Sequence, residues 1–299
     1  MALLIITTIL WAFSFSLIGE YLAGSVDSYF SVLMRVGLAA LVFLPFLRTR
    51  GQSPRTIVLY MLVGAMQLGI MYLLAFRAYL YLTVSEFLLF TVFTPLYITL
   101  IYDLLSGRKL RWGYLLSAAL AVLGAAIIRY DKVSDHFWTG LLLVQLSNLC
   151  FAIGMVGYKR LMEVRPMPQH NAFAWFYVGA FIVAVAAWFM LGNAQKLPTT
   201  TLQWSVLVWL GVVASGLGYF MWNYGATQVD AGTLGIMNNV HVPAGLLVNL
   251  AIWQEQPHWP SFISGALVIL ASLWVHRRWV APHSGQTADD RTRGSAQSE

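Results

Sequence analysis

Charged residues are scarce in this sequence of 299 residues. Asp, Glu, Lys and Arg make up only 10% of it, whereas 59% is apolar and the mean hydropathy is +0.69. A helix needs about 20 apolar residues to cross the hydrocarbon core of a bilayer. Ten such stretches follow one another and leave no room for a soluble domain. We therefore predict an all-α integral membrane protein whose function lies within the helix bundle.

Cysteine and the motifs of several chemistries are also missing. Cys150 is the single cysteine, so no internal disulfide can form, and no paired Cys or His spacing supports a metal site. No GxxxxGK[ST] loop is present, so we expect neither ATP hydrolysis by this chain nor an ATPase partner, and no cofactor. Ser215 and His241 superficially fit an intramembrane serine protease, but Val213 replaces the glycine expected two residues before the serine. We predict that the protein is not an enzyme.

The connections between the apolar stretches are short and carry most of the charge. If the N-terminus lies inside, the inner connections and the C-terminal tail hold 13 of the 18 Lys and Arg residues and the outer connections hold 3, the other two being Arg35 and Arg77 within helices. This bias is the positive-inside pattern, so both termini are predicted to be cytoplasmic, and the net charge of +6 reflects topology rather than nucleic-acid binding. Residues 281–299 are polar and predict a disordered tail. The predicted crossings are 2–22, 28–47, 57–76, 82–103, 112–129, 138–158, 172–192, 203–224, 231–254 and 258–280.

The two halves of the chain resemble each other, at offsets of 140 to 148 residues. A repeat of five crossings must enter the membrane from opposite sides in its two copies. We therefore predict two inverted five-helix repeats, residues 1–130 and 137–280, with a substrate site near the midplane between them, as in secondary transporters. The matching stretches are WAFSFSLIGEYL (11–22) with FAIGMVGYKRL (151–161), FTPLYITLI (93–101) with HVPAGLLVN (241–249), and RWGYLLSAAL (111–120) with HWPSFISGAL (258–267).

These features together resemble the EamA-type drug/metabolite transporter superfamily: two inverted five-helix halves, an aromatic–Ala pair in the first helix of each half, and a proline within the fourth. Phe151 stands where that superfamily commonly has a tryptophan. Longer stretches, among them ASGLGYFMWNYGATQVDAGTLGIMNN, are similar to its biotin-uptake branch. The resemblance implies a secondary transporter of the bacterial inner membrane that takes up biotin by alternating access, as a monomer or a homodimer. Export of amino acids or related small metabolites is the alternative within the same superfamily.

Arg35 is the most informative candidate for a binding residue, because it lies about eight residues into the second crossing. Ionised groups at membrane depth are costly and normally face a cavity or a partner. A guanidinium binds a carboxylate through two parallel hydrogen bonds, so Arg35 is predicted to hold an anionic substrate. A structural ion pair, or a side chain that reaches the outer surface, is the alternative.

The ninth crossing places polar residues beside a proline. Pro243 removes a backbone hydrogen bond near the midplane, and Asn238, Asn239 and His241 cluster within that turn. Biotin offers a ureido ring with two N–H donors and one carbonyl acceptor, which Asn side chains can satisfy. We predict that Asn238 and Asn239 contact this ring, with a purely packing role as the alternative.

Further candidates lie on the helices that line the central cavity in this superfamily. Trp11, Tyr72 and Trp222 are placed to form aromatic walls, although core packing is the alternative for each. Thr94 and Pro95 in the fourth crossing parallel the polar residues and proline of the ninth. The amides of Gln67, Gln145, Asn148 and Asn223 rank behind these residues.

Two charged residues near the outer side are predicted to serve gating or coupling. Arg77 ends the third crossing, and Glu86 lies about one turn into the fourth, so the two could pair as an outer gate. Glu86 and His241 are the titratable groups within the membrane that could couple proton movement to transport. A structural role remains open for Arg77.

Overall fold

The computed structural model describes residues 2–105, 135–229 and 244–254, and isolated positions elsewhere that include 237, 238 and 240. Every regular element in these parts is helical. The helices are α1 (Ala2–Tyr21), α2 (Ser28–Phe43, continued by a 3-10 turn at Leu44–Phe46), α3 (Pro54–Ala78), α4 (Val84–Thr91), α5 (Thr94–Leu105), α6 (Asp135–Val164), α7 (Gln169–Leu191), α8 (Thr201–Ala226) and α9 (Ala244–Trp253).

Within the described residues, seven helical spans are long and apolar enough to cross a membrane, and α4 and α5 together form one of them. This confirms a multi-pass, all-helical membrane protein. The seven spans match the predicted first to fourth and sixth to eighth crossings. The predicted fifth and tenth crossings, 112–129 and 258–280, lie almost entirely outside the described residues, and the ninth is described only in part.

Side-chain caps determine where several helices begin. The Asp27 carboxylate accepts a hydrogen bond from the backbone N–H of Phe30 at 2.8 Å, and Ser53 caps α3 in the same way. Thr83 and Thr200 open α4 and α8 with capping boxes, in which the Glu or Gln three residues later bonds back to the cap. These contacts satisfy N–H groups that a helix start leaves unpaired, which is costly in lipid.

The described helices alternate in direction, and contacts at their termini define two ends of the bundle. Arg165, after α6, donates from Nη1 to the Thr56 hydroxyl at the start of α3, at 3.2 Å. Gln203, at the start of α8, donates from Nε2 to the Tyr21 carbonyl at the end of α1, at 3.4 Å. We name these the basic end, which carries the connections 47–53 and 165–168, and the distal end, which carries the connections 22–27, 79–83 and 192–200.

Two glycines allow α3 and α7 to cross with their backbones in contact. A Cβ atom on Gly64 would collide with the Phe176 carbonyl, and one on Gly179 would collide with the Met61 carbonyl. Small residues at helix crossings permit this approach, and dispersion contacts then hold the helices together in lipid. The pair fixes α3, which carries one wall of the site described below.

Helical geometry is interrupted at three described depths. α3 widens into a π-helix at Ala65–Ile70, α8 does so at Leu210–Leu217, and α9 does so at Asn249–Trp253. Such segments are rare and frequent at functional sites, because they release carbonyl groups from the regular ladder. In α3 and α8 they lie near the middle of the span.

The fourth crossing is broken rather than widened. α4 ends at Thr91 and α5 begins at Thr94, so Pro95 is at the start of the second piece. The Thr94 hydroxyl donates to the Thr91 carbonyl at 2.7 Å, which supplies the hydrogen bond that the proline nitrogen cannot. The Phe90 carbonyl is bound instead by Nδ2 of Asn148 on α6, at 2.9 Å. Side chains therefore satisfy the carbonyls that the break releases.

Candidate functional site

A cavity lies in the middle of the bundle, and 18 described residues line it. It extends from mid-bundle toward the distal end, where Ile18, Tyr79 and Phe87 line it. Five of the eight predicted substrate-binding residues line it as well: Trp11, Arg35, Tyr72, Thr94 and Asn238.

Arg35 lies on the wall of the cavity and is 3% exposed. Its Nε donates to the Ser215 hydroxyl at 3.0 Å, and its Nη2 donates to the Tyr72 hydroxyl at 2.8 Å. The two hydroxyl oxygens are 3.0 Å apart and share a hydrogen bond of their own. The guanidinium carbon also lies 4.2 Å from the centre of the Tyr72 ring and 5.5 Å from that of Phe76. The side chain is therefore held in one orientation.

This triangle of Arg35, Tyr72 and Ser215 has unused hydrogen-bond donors. A guanidinium has five N–H groups, and these two contacts use two of them. Each hydroxyl accepts from Arg35, and only one of the two can donate to the other, so one O–H remains. Every other side chain that lines the described part of the cavity is uncharged, so the guanidinium has no carboxylate partner there. The triangle can bind a carboxylate through the guanidinium and one hydroxyl.

The π-helical segment of α8 places Ser215 in this triangle. The Ala214 carbonyl accepts from Nε1 of Trp11 at 3.0 Å. The carbonyls of Ser215 and Gly216 accept from the hydroxyl of Tyr177, at 2.6 and 3.0 Å. Side chains from α1 and α7 thus satisfy the carbonyls of the wide turn and fix its position beside α2.

An aromatic cluster closes the cavity on the side of the basic end. The Trp11 ring lies 4.6 Å from Tyr219, 5.0 Å from Trp222 and 6.4 Å from Phe151, measured between ring centres. We call these four residues the aromatic floor. Trp222 is fully buried and lies behind the other three, where its Nε1 donates to the Met155 sulfur at 3.3 Å, so it does not line the cavity.

Another part of the cavity wall carries uncharged polar groups. Asn238 is 2% exposed, and its Nδ2 has no hydrogen-bond partner among the described residues. Thr91, Thr94 and Asn148 line the same cavity, but their donors are directed to backbone carbonyls. The Asn238 amide is therefore the group here that a ligand acceptor would satisfy.

Arg77 and Glu86 are not among the residues that line the cavity. Arg77 packs over the Tyr29 ring at 5.9 Å, and the Glu86 carboxylate accepts from the Thr83 backbone N–H at 2.9 Å in the capping box. A gate made by Arg77 with Glu86 stays a prediction. Asn239, His241 and Pro243 lie outside the described residues.

Sequence reasoning missed Ser215 as a partner of Arg35 and Tyr219 as a cavity-wall residue. The sequence suggested only a protease nucleophile at Ser215. The signal that could have found it is a hydroxyl at the depth of Arg35, since a buried guanidinium requires acceptors. Tyr219 gave no signal that sets it apart from the other aromatic residues.

Comparison with known proteins agrees with this description. The model of the EamA-like transporter family matches residues 1–130 and again 138–277. The chain is 83% identical over 299 residues to the "Biotin transporter" of Escherichia coli strain K12, with both proteins covered completely. It is 55% identical over 279 residues to the "Probable biotin transporter" of Pseudomonas aeruginosa strain PAO1, which covers 93% of this chain and 97% of that protein.

Similarity to a solved structure concerns the fold alone. A protein of known crystal structure superimposes with a TM-score of 0.64 at 17% sequence identity, over 92% of this chain and 95% of the other. The family match covers most of the sequence, and the family consists of transporters rather than enzymes. The chain belongs to the EamA-like transporter family.

Proposed function

We propose that this protein takes up biotin by alternating access, as a secondary transporter of the bacterial inner membrane. The observation that carries the proposal is the buried guanidinium of Arg35, which faces the cavity and has unused hydrogen-bond donors. Biotin has one carboxylate, and Arg35 with its two hydroxyl partners suits that group. The names of the relatives that are 83% and 55% identical support the same substrate.

The rest of the cavity suits the remainder of biotin. The bicyclic ring system is partly apolar, and the walls offer Trp11, Phe76 and Tyr219. The ureido carbonyl is an acceptor for Nδ2 of Asn238, which has no partner among the described residues. Asn239 and His241 are proposed to contribute from the same helix, and Thr94 to line the wall beside them.

Amino-acid export fits the described wall less well. An amino acid carries an ammonium group as well as a carboxylate, and burying an ion without a counter-charge costs several kcal/mol. Arg35 is the only charged side chain on the described wall of the cavity. The wall therefore favours a monoanion whose other polar groups are neutral.

We further propose ten crossings in two inverted repeats, 1–130 and 137–280, followed by a cytoplasmic tail at 281–299. Two observations support this architecture: the family model matches twice, and π-helical segments interrupt both α3 and α8, which are equivalent in such a repeat. The basic end is proposed to face the cytoplasm and the cavity the periplasm, since Arg48, Arg50 and Arg165 lie at that end. Either a monomer or a homodimer is compatible with the proposal. Pro95, Pro243, Arg77 and Glu86 are proposed to serve gating or coupling.

Labelled-biotin uptake by a bacterial strain without its own uptake system tests the function. Cells that carry the protein are expected to show saturable uptake of labelled biotin, blocked by unlabelled biotin and not by amino acids. Arg35→Ala should abolish it, and Arg35→Lys should restore little, because an ammonium lacks the planar fork that bonds Ser215 and Tyr72. If correctly inserted protein gives no uptake, or if amino acids compete, the proposed function is wrong.

A further inference from the structure

A second pair of polar side chains lies between α3 and α8, on the other side of the aromatic floor. Gln67 and Asn223 are both completely buried, and Nε2 of Gln67 donates to Oδ1 of Asn223 at 3.2 Å. Nδ2 of Asn223 donates to the Tyr219 carbonyl at 3.1 Å. Oε1 of Gln67, in contrast, accepts no hydrogen bond from any residue that the structure describes.

An unpaired acceptor in the interior calls for an explanation. Removing a carbonyl oxygen from water without giving it a new donor is unfavourable, and more so within a bilayer. A methionine would fill similar space at lower cost if packing were the only requirement. Such orphaned groups in native proteins are often sites that another molecule or another conformation satisfies.

The position of the pair indicates what that molecule is. Gln67 precedes the cavity residue Met71 by four residues on α3, and Asn223 follows the cavity residue Tyr219 by four on α8. One helical turn advances about 5.4 Å, so the pair lies about that far beyond the cavity, toward the basic end. It therefore lies on the way from the cavity to the other side of the membrane.

The described helices close this route in the present conformation. On α6, a Cβ atom on Gly154 would collide with the side chain of Gln67, so that helix presses directly on the pair. Nearer the basic end, Nζ of Lys159 donates to the carbonyls of Ala226 at 3.2 Å and Val229 at 2.8 Å, which ties α6 to the end of α8. Separation of α6 from α3 and α8 would expose the pair.

We propose that Gln67 and Asn223 form a second substrate station on the exit route, which binds the uncharged urea group of the substrate after the floor opens. The inference rests on the proposed function. Once the bond between the two amides is broken, they offer two acceptor oxygens, Oε1 and Oδ1, and the N–H donors of Nε2, while Nδ2 is bonded to the Tyr219 carbonyl. A cyclic urea offers the complement, two N–H donors and one carbonyl.

Gln67→Met tests the station, with Asn223→Leu as a second variant. Biotin affinity is measured on purified protein and the maximal uptake rate in vesicles, and both are repeated with biotin methylated on a ureido nitrogen. We expect biotin affinity within twofold of wild type, which also shows that the variants fold. Biotin uptake should fall about three- to tenfold, the value of one neutral hydrogen bond, and uptake of the methylated analogue much less.

Gln145→Met is the matched control, because its amide also lies between helices but is bonded to Tyr97 and to the Phe90 carbonyl. It should change uptake of the two substrates by the same factor. If Gln67→Met and Asn223→Leu also affect both substrates equally, or leave the uptake rate unchanged, the station is overturned while the proposed function stands. Wild-type protein that neither binds nor transports biotin would overturn both.

Discussion

The hydroxyls of Ser215 and Tyr72 should act as partial substitutes for each other in holding Arg35. Each accepts from the guanidinium, at 3.0 and 2.8 Å, and they are bonded to each other at 3.0 Å. Ser215→Ala removes one anchor and leaves the Tyr72 hydroxyl free to donate to the substrate. Tyr72→Phe does the reverse and keeps the ring under the guanidinium, which lies 4.2 Å from its centre.

The magnitude follows from this geometry. One hydrogen bond contributes about 1 kcal/mol net, so each single variant should weaken biotin binding about fivefold. If the losses were independent, the double variant would bind about 25-fold more weakly. The double variant should instead bind biotin more than about 100-fold more weakly, because only there does the guanidinium have neither hydroxyl partner and the carboxylate no hydroxyl donor.

Isothermal titration on purified protein measures these affinities. Ser205→Ala is the control, since this serine is also on α8 but is exposed and donates to the Thr201 carbonyl at 2.8 Å; it should change affinity less than twofold. Biotinol, which has an alcohol in place of the carboxylate, should bind weakly and equally to all variants. Additive losses of biotin affinity, or an equal loss of affinity for biotinol, would refute the prediction that the two hydroxyls jointly hold Arg35 and the substrate carboxylate.

Three further changes test packing, closure and the polar wall. Gly64→Ala should lower the free energy of unfolding in detergent by about 1–3 kcal/mol, because its Cβ would collide with the Phe176 backbone. Gly157→Ala should lower it less, because its Cβ would lie 3.3 Å from a Val63 methyl. Lys159→Met should loosen the contact between α6 and the end of α8 at the basic end. A cysteine introduced by Asn223→Cys in a Cys150→Ser background should then react faster with a thiol reagent. An unchanged labelling rate would show that Lys159 does not close this route. Asn238→Leu should weaken biotin binding about fivefold through loss of one neutral hydrogen bond, and an unchanged affinity would remove Asn238 from the site.

Much of the architecture could be predicted, because each membrane-spanning helix requires a long apolar stretch that is visible in the sequence. Spans of about 20 apolar residues locate the ends of the seven described spans to within six residues. The chemistry of the cavity was also visible in part. Polar groups in an apolar helix face the bundle interior, which is why Arg35, Thr94 and Asn238 were found.

The orientation of Ser215 toward Arg35 could not be predicted, because it depends on the π-helical segment of α8. Gly211, Ser215 and Gly218 read locally as a small-residue surface, and nothing in that stretch specifies a wide turn. The turn exists because Trp11 and Tyr177, distant in sequence, bind its carbonyls. The position of Trp222 could not be predicted for a similar reason. Its depth in the helix suggested that it lines the cavity, but whether a ring faces the cavity or lies behind it depends on how α1 packs on α8.

The charge of the site predicts how membrane potential acts on transport. Arg35 returns unloaded in each cycle, and no other side chain on the described wall is charged, so a full cycle moves the single negative charge of the substrate across the membrane. Moving one charge through 100 mV is worth about 2.3 kcal/mol, which is about 50-fold in the equilibrium accumulation ratio.

Vesicles with a potential imposed by a potassium gradient and valinomycin test this dependence. Biotin should accumulate about 50-fold less for each 100 mV of inside-negative potential, if it enters alone. Glu86→Gln should leave that dependence unchanged, since glutamine retains the capping contact with Thr83. Accumulation that does not depend on the potential would mean that a cation enters with biotin. A changed potential dependence in Glu86→Gln would then identify Glu86 as the group that carries the cation.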